Sequence, residues 1–286
     1  MKKTTNTLLA LAATAGMSHA ATVLEVNFSN LTQGVNVTDG DRIQDTSGNG
    51  YHGFFGQTAG AGSAVVATPT GTGINNAAGT GDGYVFIRDG LNGIPGAWDG
   101  PTTTVSPYFE LDGSATGSFT LEAVLNWNNT SQTRNGIMGQ TGGDQIWIRE
   151  DGGNLQYAIG AGDAVSAFGS TIDISSAKGD GNYHSIALVY DGPNGEVRTY
   201  VDGALVHTNT DADIGTLPAT MLDPLSDFRL GSYNGAENQE FTGIMDQFRV
   251  SDTALTPAEF LTTVPEPSST ALLGLGGLAL ILRRRK

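Results

Sequence analysis

The chain has 286 residues, 41 of them glycine, with only 15% charged residues; that length admits one large domain or two small ones, and the glycine suits strands joined by tight turns, not a helical bundle. It has no cysteine, which excludes a disulfide framework, a zinc–thiolate site and a cysteine nucleophile. Lys2, Lys3 and Arg283 to Lys286 are six of the 14 basic residues and Glu266 is the one terminal acid of 29, so residues 21–264 carry about −20, a balance that argues against nucleic-acid binding and favours solubility and cation binding.

Residues 1–20 read as a secretory signal. Lys2 and Lys3 make the positive start, Leu8 to Met17 a short apolar core, and Ser18-His-Ala20 places small residues where the peptidase reads, so cleavage is expected after Ala20. Thr22 to Phe28 is the first strand. Residues 34–53 are turn-rich, and Asp45, Ser47 and Asn49 lie two apart in a loop punctuated by Gly48 and Gly50. Alternating oxygen-bearing residues on a glycine-bent loop suit calcium, and equally an Asx-turn in which Asp45 bonds the backbone two residues on. No EF-hand register is present.

Residues 56–82 are rich in Gly, Ala and Thr and read as a long loop. Tyr84 to Arg88 is a strand, 89–105 a second long loop containing Trp98, and Pro107 to Leu111 a further strand. Phe119, Leu121, Ala123, Leu125 and Trp127 alternate with Thr120, Glu122 and Asn126 in a half-buried strand. Residues 135–140, 145–149 and 155–159 form a meander that turns at Asp151-Gly-Gly-Asn154. If Ile146 and Ile148 face the core, Trp147 and Arg149 face away from it. An aromatic ring stacks on a sugar and an arginine hydrogen-bonds its hydroxyls, so this pair is a candidate glycan contact; a tryptophan simply covered by loops is the alternative.

Tyr183 to Tyr190 is a β-branched and aromatic run, broken by Asp191-Gly-Pro-Asn-Gly195. Glu196 to Asp202 alternates again, Asp202-Gly203 is a two-residue hairpin signal, and Ala204 to Val206 returns. Residues 228–232 and 241–250 are later strands. Thr256-Pro-Ala-Glu259 is a capping-box sequence with proline at the first helical position, predicting a short helix over 257–262.

Four phrases in this order resemble the laminin-G-like branch of the concanavalin A-like superfamily. They are Asp45-Thr-Ser-Gly-Asn-Gly-Tyr-His-Gly53; Tyr183-His184 with Tyr200-Val-Asp-Gly203; Phe241-Thr-Gly-Ile-Met-Asp-Gln-Phe-Arg-Val250; and Ala254-Leu-Thr-Pro-Ala-Glu259. The resemblance implies an all-β, antiparallel two-sheet jelly-roll sandwich over residues 21–263 with a short C-terminal helix. It also implies a structural calcium ion between Asp45, Asn49 and Asp246. Relatives often carry Phe-Asp where this chain has Phe28-Ser29, so position 29 is not expected to supply a ligand.

After the sandwich come Val264-Pro-Glu-Pro267, three polar residues, an apolar run from Ala271 to Leu282 and the basic cluster Arg283 to Lys286. Residues 264–286 resemble a PEP-CTERM sorting signal. That implies a membrane sorting protease, an exosortase, which recognises Pro265, Glu266 and Pro267 and removes the tail. It also implies transient anchoring in the inner membrane, with the basic end cytoplasmic. A plain C-terminal anchor is the alternative.

Catalytic motifs are weak. Jelly-roll glucanases use two carboxylates on one strand to flank a glycosidic bond. Here Glu110-Leu-Asp112 begins that spacing, but Ser114 and Ala115 stand where the second glutamate belongs, and Glu150 and Asp151 are adjacent and face opposite ways. His52, His184 and His207 lack zinc spacing, and no serine-hydrolase elbow or phosphate loop is present. The expected function is a non-catalytic, exported module of the cell envelope or extracellular space that binds glycan, extracellular polysaccharide or extracellular matrix through loops at one end of the sandwich. A jelly-roll glycoside hydrolase and a purely structural envelope protein are the alternatives.

Overall fold

Runs of Val, Ile, Phe and Tyr at period two bury one face of each strand, and two such faces close on one core. The computed structural model describes residues 22–28, 30–32, 35–37, 41–50, 53–57, 65–67, 74–76, 83–87, 117–127, 134–140, 145–160, 172–210, 228–232 and 240–261. The strands are β1 (Thr22–Val26), β2 (Asn36–Val37), β3 (Arg42–Ile43), β4 (Gly53–Gln57), β5 (Val65–Ala67), β6 (Ile74–Asn76), β7 (Gly83–Ile87), β8 (Ser118–Trp127) and β9 (Arg134–Gln140). They continue with β10 (Gln145–Asp151), β11 (Asn154–Gly160), β12 (Ile172–Asp173), β13 (His184–Asp191), β14 (Glu196–Val201), β15 (Ala204–Asn209), β16 (Phe228–Leu230) and β17 (Gly243–Ser251).

They form the expected two-sheet antiparallel sandwich. The first sheet runs β15-β14-β13-β8-β17-β6-β5-β2, with β1 also on β17; the second runs β12-β11-β10-β9-β16-β7-β4-β3. One core lies between them. Phe119, Leu121, Leu125, Trp127, Leu188, Tyr190 and Phe248 enter it from the first sheet, and Ile146, Ile148, Tyr157, Phe228 and Leu230 from the second. β1 joins β17 through pairs such as Glu25↔Arg249 and Val26↔Phe248, so the first and last described strands share one sheet.

Two expectations are corrected. The stretch 56–82, read as loop, contains β5 and β6, and β6 pairs with β17 at Gly243↔Asn76. Short apolar pieces such as Val65-Val66 become strands because an existing sheet edge supplies their hydrogen bonds, a stimulus no local pattern reveals. The helix expected over 257–262 is a single 3₁₀ turn, Pro257–Glu259. Glu259 accepts the Thr256 amide at 2.9 Å, as a capping box requires. Phe260 then turns extended, its ring edge-on to Tyr200 at 4.9 Å, and the Leu261 amide goes to Glu122 instead of continuing a helix. The expected signal segment, the strand at 107–111, Trp98, Glu110, Asp112 and the C-terminal tail lie outside the described residues.

Part of the outer face of the first sheet is covered by residues 254–260. Leu255 and Phe260 pack with Ala187, Val189 and Tyr200 in a second apolar cluster. This is why Glu122, on the polar side of β8, is only 1% exposed.

Candidate functional site

The β10–β11 hairpin builds the candidate site. Its two-residue turn, Gly152-Gly153, takes φ of 61° and 87°, a left-handed geometry that glycine adopts without strain. That turn sets the register Asp151↔Asn154, Arg149↔Gln156 and Trp147↔Ala158. Ile146 and Ile148 join the core, so Trp147, Arg149 and Asp151 face away from it. On the other flank Trp147 pairs with Gly139 of β9. A Cβ at Gly139 would sit 2.3 Å from the Ile146 carbonyl oxygen and 2.4 Å from the Trp147 Cα, so only glycine fits under this crossing.

Trp147 faces the way the sequence implies but is not an open platform: it is 7% exposed. The Arg149 guanidinium lies over its ring, 4.6 Å from the centroid, a cation–π contact. Arg149 is held flat by a fork onto Gln156 Oε1, at 3.0 Å from Nε and 2.8 Å from Nη2, and it approaches Asp151 at 3.3 Å. Arg134 Nε reaches the same Asp151 oxygen at 3.1 Å. Gln156 and Arg134 were missed as site residues, although counting outward from the Gly152-Gly153 turn places Gln156 opposite Arg149.

Glu150 faces the other way, fully buried, and accepts bonds from Lys178 Nζ at 3.0 Å, from the Gly153 amide at 2.6 Å and from Asn135 Nδ2. Glu122 is bound by Arg249 Nε at 2.5 Å. Glu122 and Glu150 are thus each committed to a cation. His184 bridges Asp202 at 2.8 Å and Asp180 at 3.2 Å, and lies against the Trp127 ring with centroids 6.0 Å apart.

The residues expected to share calcium do not fit an ion as placed. Asp45, 3% exposed, spends one carboxylate oxygen on the Glu25 and Ser47 amides (3.1 and 2.9 Å) and the other on the Ser47 hydroxyl and the Gly50 amide (both 2.9 Å). Four donors take the lone-pair positions of one carboxylate. Asn49 turns its amide nitrogen to the Thr22 and Val23 carbonyls at 2.9 and 2.8 Å. Asp246 is the extra residue of a bulge between Met245 and Gln247. Asp45 sits on the Glu25 amide, and Glu25 pairs with Arg249, three residues and about 10 Å of strand from Asp246. Among the described residues no group of three or more His, Cys, Asp or Glu is placed to hold a metal ion.

With this architecture in view, residues 99–260 match the model of the concanavalin A-like lectin/glucanases superfamily, and the chain belongs to that superfamily. Residues 263–286 match the PEP-CTERM protein-sorting motif. No curated protein matches the chain in sequence. Among solved structures it is similar to domain 4 of AbnA, a GH43 extracellular arabinanase from Geobacillus stearothermophilus, in complex with arabinotriose. That match has 18% identity and a TM-score of 0.52, covering 84% of this chain and 96% of that one. The binding domain of botulinum neurotoxin serotype D is similar at 11% identity and a TM-score of 0.53, over 84% of this chain and 50% of that one. A botulinum neurotoxin type C structure whose cell entry depends on two ganglioside molecules is similar at 12% identity and a TM-score of 0.51, over 84% and 49%. At these identities the likeness establishes the fold.

Proposed function

We propose that this protein is an exported, non-catalytic glycan-binding module of the cell envelope or extracellular space, and that it meets its ligand at the outer face of the β10–β11 hairpin. The observation that carries the reading is the Arg149 guanidinium laid over Trp147 and locked by Gln156. A planar cation held against an aromatic ring presents a sugar with a flat, positively charged surface whose geometry is already fixed, with little side-chain entropy left to lose on binding. The sugar meets the guanidinium first, with Trp147 as its backing. Arabinotriose in the arabinanase domain and gangliosides in the neurotoxin are saccharide ligands of proteins with this fold, which supports the choice of ligand class.

The PEP-CTERM match supports export and processing by an exosortase. The apolar run Ala271 to Leu282 would hold the chain in the inner membrane until it is cut. Among the described residues no helix is long and apolar enough to cross a membrane, and that run lies outside them.

The test is affinity electrophoresis of the secreted protein through a panel of polysaccharides. Arg149→Ala and Gln156→Ala are each expected to weaken retention at least about ten-fold with an unchanged circular-dichroism spectrum. Retention equal to wild type in both variants, or no retention by any polysaccharide, would remove the site. Sustained release of reducing sugar, abolished by Glu110→Gln, would favour the hydrolase reading.

A further inference from the structure

The last described residues do more than close the sandwich. After β17 ends at Ser251 the chain folds back across the outer face of the first sheet and is tied there at successive points. Thr120 Oγ1 donates to the Thr253 carbonyl at 2.7 Å and accepts the Leu255 amide at 3.0 Å. Leu255 and Phe260 are buried against Ala187, Val189 and Tyr200. Arg249 Nη2 donates to the Glu259 carbonyl at 2.5 Å, and the Leu261 amide donates to Glu122 Oε1 at 2.6 Å. The other Glu122 oxygen is held by Arg249 Nε at 2.5 Å, so one buried ion pair grips both the sheet and the final residue of the strap.

The last described tie, the Leu261 amide, lies four residues before Pro265, and the sorting-motif match begins at residue 263. Four residues span at most about 14 Å. A folded body of some 240 residues is roughly 45 Å across. With the strap seated, a membrane protease would have to bring its cleft within about 14 Å of a body three times that width. Releasing residues 252–261 adds ten residues to the tether, up to about 35 Å.

We propose that the 252–261 strap sets the reach of the sorting motif, so that the exosortase cuts chains whose strap has come off the Glu122–Arg249–Tyr200 face, and the seated strap delays processing of the folded domain. This rests on the sorting reading of the tail. The strap residues are positioning residues for the cleavage. A segment held by two buried side chains and a few hydrogen bonds opens far more often than the whole domain unfolds, so gating by local release is available without loss of the fold.

The experiment is a pulse-chase of the full-length chain in a host that processes PEP-CTERM proteins, following conversion of tailed to cut chain by mass. Phe260→Ala loosens the strap, and a ten-residue Gly-Ser insertion after Thr262 lengthens the tether with the strap left seated. Each is expected to speed conversion at least about five-fold, and the two together no more than either alone, because both relieve one reach limit. Conversion at the wild-type rate in the insertion variant would overturn the proposal even if Phe260→Ala failed to fold. So would a Phe260→Ala effect that persists undiminished in the insertion background, because it would report general unfolding. Replacing Pro265-Glu266-Pro267 with alanines is expected to stop conversion; continued conversion would sink the sorting reading itself, and that result is separable from the strap results.

Discussion

Gly139 and Glu122 show how single residues decide what the faces of the two sheets can do. A methyl at Gly139, whose φ is 143°, would strike the backbone of Ile146 and Trp147. Those neighbours belong to a paired strand and cannot swing aside. Gly139→Ala is therefore expected to destabilise the domain by about 3 kcal/mol or more, read as a lower midpoint in urea; an unchanged midpoint would mean that β10 can shift. Glu122 is a buried carboxyl beside an arginine. Burial raises its carboxyl above the ordinary value, while Arg249 and the Leu261 amide pull it partly back. The folded state then holds that proton more tightly than the unfolded state does. Its contribution is fully present below the unfolded value and is lost as pH rises through the folded one. Wild type is thus expected to lose stability relative to Glu122→Gln as pH rises from below the ordinary carboxyl range to neutral. Wild type gaining stability relative to the variant over that range in thermal melts would mean that the ion pair outweighs the burial.

At the scale of elements, the 45–50 loop acts as an edge guard. β1 pairs with β17 on one side. On its other side the Glu25 amide bonds Asp45, the Glu25 carbonyl accepts the Thr46 amide at 2.7 Å, and the Thr22 and Val23 carbonyls accept Asn49. Covering a free strand edge in this way blocks edge-to-edge association. Asp45→Ala strands several donors at once and is expected to cost about 2–4 kcal/mol. Because hydrogen bonds occupy that carboxylate, EDTA is expected to leave the melting temperature unchanged. A fall of several degrees, restored by calcium and absent in Asp246→Ala, would reinstate the ion by mass action. The alternating residues of this loop were legible from sequence, but they suited an Asx-turn and a cation equally. Only the positions of Glu25 and Gly50 relative to Asp45 separate the two.

For the whole molecule, β8, β10, β11, β13, β14 and β17 stand where the sequence implies. β10 shows the period of two that burial on one side dictates, and β13 is a continuous apolar run because the core covers one of its faces and Leu255 and Phe260 pack on the other. The β10–β11 register was legible too, because Gly152-Gly153 leaves only one pairing. The exposure of Trp147 was not. Its direction follows from alternation, but its covering by Arg149 depends on a cross-strand partner, Gln156, that fixes the guanidinium. Glu122 reads as a solvated polar position on β8 and is instead buried beneath a segment 139 residues further along the chain. By itself, the sequence determined the all-β class, the turns, the acidic body and the sorting tail, since each is a local consequence of side-chain period, backbone freedom or charge. The tertiary structure alone decided which polar groups are spent on one another, because hydrogen bonds and ion pairs between distant strands depend on distances that exist only after the sheets have packed.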